Sequence, residues 1–224
     1  MTKHFHRDLE KLHGNILSLS AMVEEMIDLA GRALCDTDLQ SLVDLAEMDR
    51  QVDQREVAVE EECLKMLALH QPVAIDLRRI ATVLKINNDL ERIGDLACSI
   101  AERSRGLRER PDFPLPAKLE RMVALASGMV RDALNAFVDF DATAARAVCR
   151  RDESVDQINR EIIGELVRLM EQRPVMVAPA MHCFSATRQV ERIADHATNI
   201  AEDVVYLVEG EIVRHHRSSS FAVA

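Results

Sequence analysis

The sequence has 224 residues, only 3% of them aromatic, with seven glycines, six prolines, no tryptophan and a formal net charge of −10. Aliphatic residues and ten methionines carry the apolar mass, which is the palette of helix interiors and predicts an all-α fold. So acidic a chain argues against nucleic acid or anionic lipid as a partner, and no apolar run reaches the 18 or so residues of a membrane span, so no direct membrane insertion is expected.

In chain order, apolar residues from Leu9 to Ala30 recur at three- and four-residue steps and predict a first helix from Phe5 to Leu34. Asp36, Thr37 or Asp38 is placed to cap a second helix, Leu39 to Leu69, striped by Leu45, Met48, Val52, Val59, Cys63 and Met66. Pro72 breaks it, and a third helix follows from Val73 to Arg105 with Gly106 as its stop. The stretch GLRERPDFPLP (106–116) has linker chemistry. Helices are then expected over Ala117–Val138, Ala142–Glu171 and Ala178–Glu209. The division is therefore 1–107, a linker at 108–116, a second unit at 117–213 and a tail at 214–224.

The chain repeats itself. ERIGDLACSIAE starts at Glu91 and ERIADHATNIAE starts at Glu191, 100 residues later, with no insertion between matching positions. Asp49-Arg-Gln-Val-Asp53-Gln is answered by Asp152-Glu-Ser-Val-Asp156-Gln. A period this long suits a duplicated domain half and not a short solenoid repeat. Two tandem three-helix bundles, related by a pseudo-two-fold or laid end to end, are the expected architecture, with short connections making successive helices antiparallel.

Each half thus carries one Asp-x-x-x-Asp and one Glu-x-x-x-Asp on consecutive helices. Carboxylates at i and i+4 repel unless a cation sits between them, and hard cations take oxygen ligands of this kind. Helical projection puts Glu91, Asp95 and Glu102 about 140–180° from the stripe Ile86, Leu90, Ile93, Ala97 and Ile100, so a metal there would lie on a bundle surface. Asp49, Asp53, Glu56 and Glu60 fall at the edge of their own stripe. Periodicity by itself favours a solvated charged face laced with Arg92, Arg188 and Arg192 over a metal site.

Other chemistry is thinly represented. A ferritin-like di-iron centre needs two Glu-x-x-His motifs, and only Glu10-Lys-Leu-His13 occurs. The five cysteines (35, 63, 98, 149 and 183) are odd in number and lack any C-x-x-C, which reads as free thiols in a reducing cytosol. Residues 1–20 are charged and histidine-bearing, unlike a signal peptide. No phosphate loop or nucleophile elbow is present, and no catalytic constellation emerges.

Over HFHRDLEKLHGNIL (4–17), QPVAIDLRRIATVLKINNDLERIGD (71–95) and VERIADHATNIAEDVVYLVEGEIVRH (190–215), the chain resembles the PhoU family of bacterial regulators of phosphate uptake. The resemblance implies paired three-helix bundles, often homodimeric, with multinuclear iron or zinc at the carboxylate motifs. Carried over residue by residue, the metal ligands would be Asp49 and Asp53, Glu91 and Asp95, Asp152 and Asp156, and Glu191 and Asp195. The family commonly has a histidine after the motif aspartate; His196 supplies it in the second half, whereas the first half has Leu96. The implied role is a cytoplasmic, non-enzymatic adaptor that represses the phosphate-starvation response. It would bridge the ATPase subunit of a phosphate ABC transporter and a membrane sensor histidine kinase. The competing readings are a carboxylate-bridged metal-binding bundle and an accessory of a low-affinity phosphate permease.

Overall fold

The computed structural model describes residues 3–35 and 40–213. The cap expected at Asp36, Thr37 or Asp38 and the tail from Arg214 lie outside the described residues. Six helices account for nearly all of the rest: α1 (Lys3–Cys35), α2 (Gln40–His70), α3 (Ile75–Arg108), α4 (Leu119–Asp139), α5 (Ala142–Gln172) and α6 (Val177–Glu209). A single 3₁₀ turn, Pro174–Met176, leads into α6. No strand occurs among the described residues.

The helix ends follow from local chemistry. Between α4 and α5, Phe140 takes the left-handed conformation (φ 53°) and the Asp141 amide donates back to the Ala136 carbonyl at 2.9 Å. Asp141 then starts α5, its carboxylate accepting from the amides of Thr143 and Ala144 at 2.8 and 2.9 Å. At the two proline breaks the halves differ. Pro174 opens the 3₁₀ turn, whereas Pro72 stays in the turn before α3, with Gln71 and Ala74 both at positive φ.

Gly106 does not stop α3. The helix runs through it to Arg108, and a Cβ on Gly106 would lie 2.4 Å from the His182 imidazole of α6. The glycine permits a close helix crossing and is not used for a turn. The linker beyond is also packed down, since Phe113 and Pro116 are buried and an Arg110 Nη1–H donates to the Val175 carbonyl at 3.3 Å.

Each half is a three-helix bundle, α1–α3 and α4–α6, and the two lie side by side. The most extensive packing of the molecule is between α3 and α6. Their pairings run in opposite senses: Lys85 meets Asp203, Asp89 meets His196, and Gly106 meets His182. Antiparallel packing of two copies of one helix makes a pseudo-two-fold, whose centre falls near Ile93 and Ile193, both fully buried. A second seam joins α1 to α4, where Asp28 accepts from Ser127 at 3.3 Å and Glu24 from Arg131 at 3.0 Å. The core is one continuous cluster from Phe5 to Leu207, with α2 and α5 on its two flanks. Each fully buried Leu or Ile contributes roughly 1.5–3 kcal/mol, so this shared core binds the halves into one unit.

Candidate functional site: two acidic grooves

The motif carboxylates of the first half come together in a groove between α2 and α3, and those of the second half lie on α5 and α6, which pack together as its counterpart. In the first, Asp49 and Glu91 are half-buried, while Asp53 and Asp95 are exposed. Burial pushes the Asp49 carboxyl upward, as do the neighbouring charges of Asp53 and Asp95, against a hydrogen bond from the Cys98 thiol. Burial likewise raises Glu91, helped by Asp95, Asp53 and Glu56 and opposed by Arg92. Glu56 is raised by burial and then by Glu60 and Asp53. The groove therefore concentrates carboxylates that destabilise one another's charge. Arg92 is the cation set against them, its Nε 3.3 Å from Glu91 and its Nη1 3.2 Å from Asp95.

The projection onto the far side of α3 holds for Asp95, whose side chain is 48% exposed, but not for Glu91, which is 23% exposed. The reason is that α3 is covered on more than one side: α1, α2 and α6 all pack on it, and Asp53 and Glu56 of α2 lie near enough to Glu91 to raise its carboxyl. A cation bound there would lie in a groove and not on an open surface.

The second groove balances its charge differently. Asp152, Asp156 and Asp195 are half-buried. Arg188 donates to Glu191 Oε1 at 2.7 Å, and Glu191 Oε2 is buried without a hydrogen-bond partner. His196 turns toward the seam between the halves, where its Nδ1 lies 2.7 Å from Oδ1 of Asp89 on α3. A carboxylate there accepts, so the proton sits on Nδ1. The pseudo-two-fold counterparts of this pair are Leu96 and Gln189, which line a polar recess of about 440 Å³ with Arg92 and Arg192. The histidine in one half and the leucine in the other are thus matched by the residues that face them.

Each groove also holds one thiol, delivered from opposite helices. Cys98 of α3 sits against Asp49, and Cys149 of α5 sits near Glu202 and Asp152. Burial, followed by those carboxylates, pushes Cys98 up to about 12 and Cys149 up to about 11. Sequence reading missed both thiols and Asp89. The spacing of Cys98 three residues after Asp95, and of Cys149 three before Asp152, was the available signal. Asp89 gave none, since it lies 107 residues from His196.

Among the described residues, no three His, Cys, Asp or Glu side chains converge on a common point as metal ligands would. The donor chemistry nonetheless suits a cation: carboxylates raised by burial and then by crowding in the first groove, and a buried carboxylate oxygen that accepts nothing in the second. Among the described residues, no helix is long and apolar enough to cross a membrane.

Two side-by-side bundles built from one duplicated unit, with paired acidic motifs in matching grooves, define a class of duplicated helical-bundle proteins. The PhoU domain model matches both units, at residues 16–104 and 119–204. The chain is 38% identical over 216 residues to the phosphate-specific transport system accessory protein PhoU homolog of Pseudomonas aeruginosa, covering 96% of this chain and 89% of that protein. It is 37% identical over 209 residues to the homolog of the same name from Aquifex aeolicus, covering 93% and 95%. The crystal structure of PhoU from Pseudomonas aeruginosa superposes with a TM-score of 0.90 at 37% identity, covering 92% of this chain and all of that one. The phosphate transport system regulatory protein PhoU from Streptococcus pneumoniae gives 0.87 at 30% identity, covering 93% and 99%. The chain belongs to the PhoU family.

Proposed function

We propose that this protein is an accessory and regulatory component of phosphate transport, acting as a non-enzymatic adaptor that keeps the phosphate-starvation response repressed when phosphate is plentiful. The observation that carries the reading is the match of both halves, over nearly the whole chain, to relatives named as phosphate-specific transport system accessory proteins. The partners proposed are the ATPase subunit of a phosphate ABC transporter and a membrane sensor histidine kinase, met from the cytoplasmic side by a homodimer. Deleting the gene and following a phosphate-regulon reporter in phosphate-rich medium tests this: derepression is expected, and unchanged repression overturns it. Co-purification on tagged full-length protein tests the partners. Recovery of a low-affinity permease in place of the ABC transporter would select the alternative accessory role.

The grooves support a second component of the proposal, that iron or zinc binds at the motif carboxylates. Asp49, Asp53, Glu91 and Asp95 would hold it in the first half, and Asp152, Asp156, Glu191 and Asp195 in the second. Such an ion would supply positive charge that neutralises crowded carboxylates and ties the two helices of each groove together. Elemental analysis of protein purified without chelator, beside an Asp95→Ala/Asp195→Ala variant, is the test. Equal metal in both removes these residues from the site.

A further inference from the structure

A pocket lies elsewhere, on the seam where α1 and α3 of the first half meet the end of α4 of the second. Its volume is about 210 Å³. Leu9 and Val83 with the rings of Phe137 and Phe140 form apolar walls, and His13 and Arg79 form a polar end. Nε2 of His13 and Nε of Arg79 are both buried there and have no hydrogen-bond partner in the protein. Buried polar nitrogens without hydrogen-bond partners cost stability, and native structures carry few of them.

The two polar groups are fixed by their surroundings. The Arg79 guanidinium stands over the Phe140 ring at 5.0 Å, and its Nη1 is 4.0 Å from Asp76, which leaves Nε directed elsewhere. The His13 ring lies 5.3 Å from that of Phe137. Burial, and then the Arg79 charge, depress the His13 pKa, so the imidazole is neutral near pH 7 while Arg79 carries the charge. Phe140 is held in the left-handed region, where a bulky side chain is strained and glycine would be at ease. That strained cap positions the ring against the guanidinium and closes one wall.

We infer that this pocket binds a small monocarboxylate with a compact apolar body, its carboxylate accepting from Arg79 Nε and His13 Nε2 and its body packed on Leu9, Val83, Phe137 and Phe140. Size and charge select this class. An apolar cavity of about 150 Å³ already takes benzene, so the present volume suits a benzene-sized ring bearing one polar group. Arg79 Nε–H and the Nε2–H tautomer of the neutral His13 ring match the two oxygens of a carboxylate, and the guanidinium charge, shared with Asp76 at 4.0 Å, attracts a single negative charge. Inorganic phosphate matches less well, because it has further oxygens to satisfy and no apolar body for the walls. Exposed Glu10 stands at the mouth and opposes the anion, which weakens binding without blocking it.

Benzoate titrated into the full-length protein is the test, followed by the imidazole NMR signal of His13, which is assigned by its loss in His13→Gln. Saturable binding at millimolar or lower concentration is expected for a ligand of this size. Benzamide, the neutral isostere, should bind at least tenfold more weakly, as should benzoate to Arg79→Met. Glu10→Gln should tighten benzoate severalfold. Phe140→Gly relieves the left-handed strain, so it should fold normally yet bind benzoate several times more weakly. No saturable benzoate binding, equal binding of benzoate and benzamide, or unchanged affinity in folded Arg79→Met and Phe140→Gly would overturn the site. Inorganic phosphate displacing benzoate from His13 would overturn the carboxylate selectivity.

Discussion

The α2/α3 groove and the α5/α6 groove carry the same pairs of carboxylates at equivalent positions, yet they handle the charge in different ways. In the first, Asp49, Glu56 and Glu91 are all raised by burial and then by neighbouring carboxylates, Asp53 acting on all three, with Arg92 as the nearby cation. In the second, Glu191 is paired with Arg188, and the histidine that follows Asp195 leaves its own groove to bond Asp89 across the seam. Duplication copies residues, and the antiparallel pairing of α3 with α6 puts equivalent positions in equivalent places; the halves differ because the facing residues differ, His196 with Asp89 on one side and Leu96 with Gln189 on the other. A motif repeated in sequence need not be repeated in electrostatics.

The largest effects are expected at the pseudo-two-fold axis. Ile93 and Ile193 are equivalent and fully buried, so Ile93→Ala and Ile193→Ala should each cost about 2–5 kcal/mol and by similar amounts. Urea denaturation checks this, and a large inequality would mean that the halves do not share the seam evenly. Next comes the asymmetric pair. His196→Ala leaves a largely buried Asp89 without its donor and should cost about 1–3 kcal/mol. Leu96→His should be destabilising alone and partly rescued by Gln189→Asp, which rebuilds the pair on the other side; a double-mutant cycle reads that coupling.

If a cation relieves the crowding, the first groove should depend on it more. Asp49→Asn/Asp95→Asn is expected to weaken metal retention by about tenfold or more, and Asp152→Asn/Asp195→Asn by less, measured by elemental analysis after graded chelation. The smallest effect concerns pH. Because the folded state raises the Asp49 and Glu91 pKa values, these groups favour folding most when protonated, below their ordinary range, and that advantage is lost as pH rises through the raised values. Asp49→Asn should therefore stabilise metal-free protein at pH 7 by less than about 1 kcal/mol. The gain should vanish near pH 3, as thermal melts at the two pH values would show.

Much of the fold was legible because helix periodicity is a local property. The apolar steps of α1, the prolines near 72 and 174 and the 100-residue repeat gave six helices in two copies, with ends that agree to within a few residues. Gly106 was misread because a glycine at a helix end and a glycine under a crossing helix look alike in sequence. For the grooves, the motif spacing identified which carboxylates share a face, and the family resemblance named them. Projection from one apolar stripe could not show that Glu91 would be covered, since α3 packs on three neighbours at once.

The set of helices, their duplication and the paired acidic motifs follow from spacing along the chain. Packing of the helices is what gives the halves one core, brings His196 to Asp89 and Cys98 to Asp49, and makes His13 and Arg79 converge on a pocket with Phe140. Those pairings join residues far apart along the chain. Their energies come from burial and from which charges are brought close, and neither exists until the helices have packed.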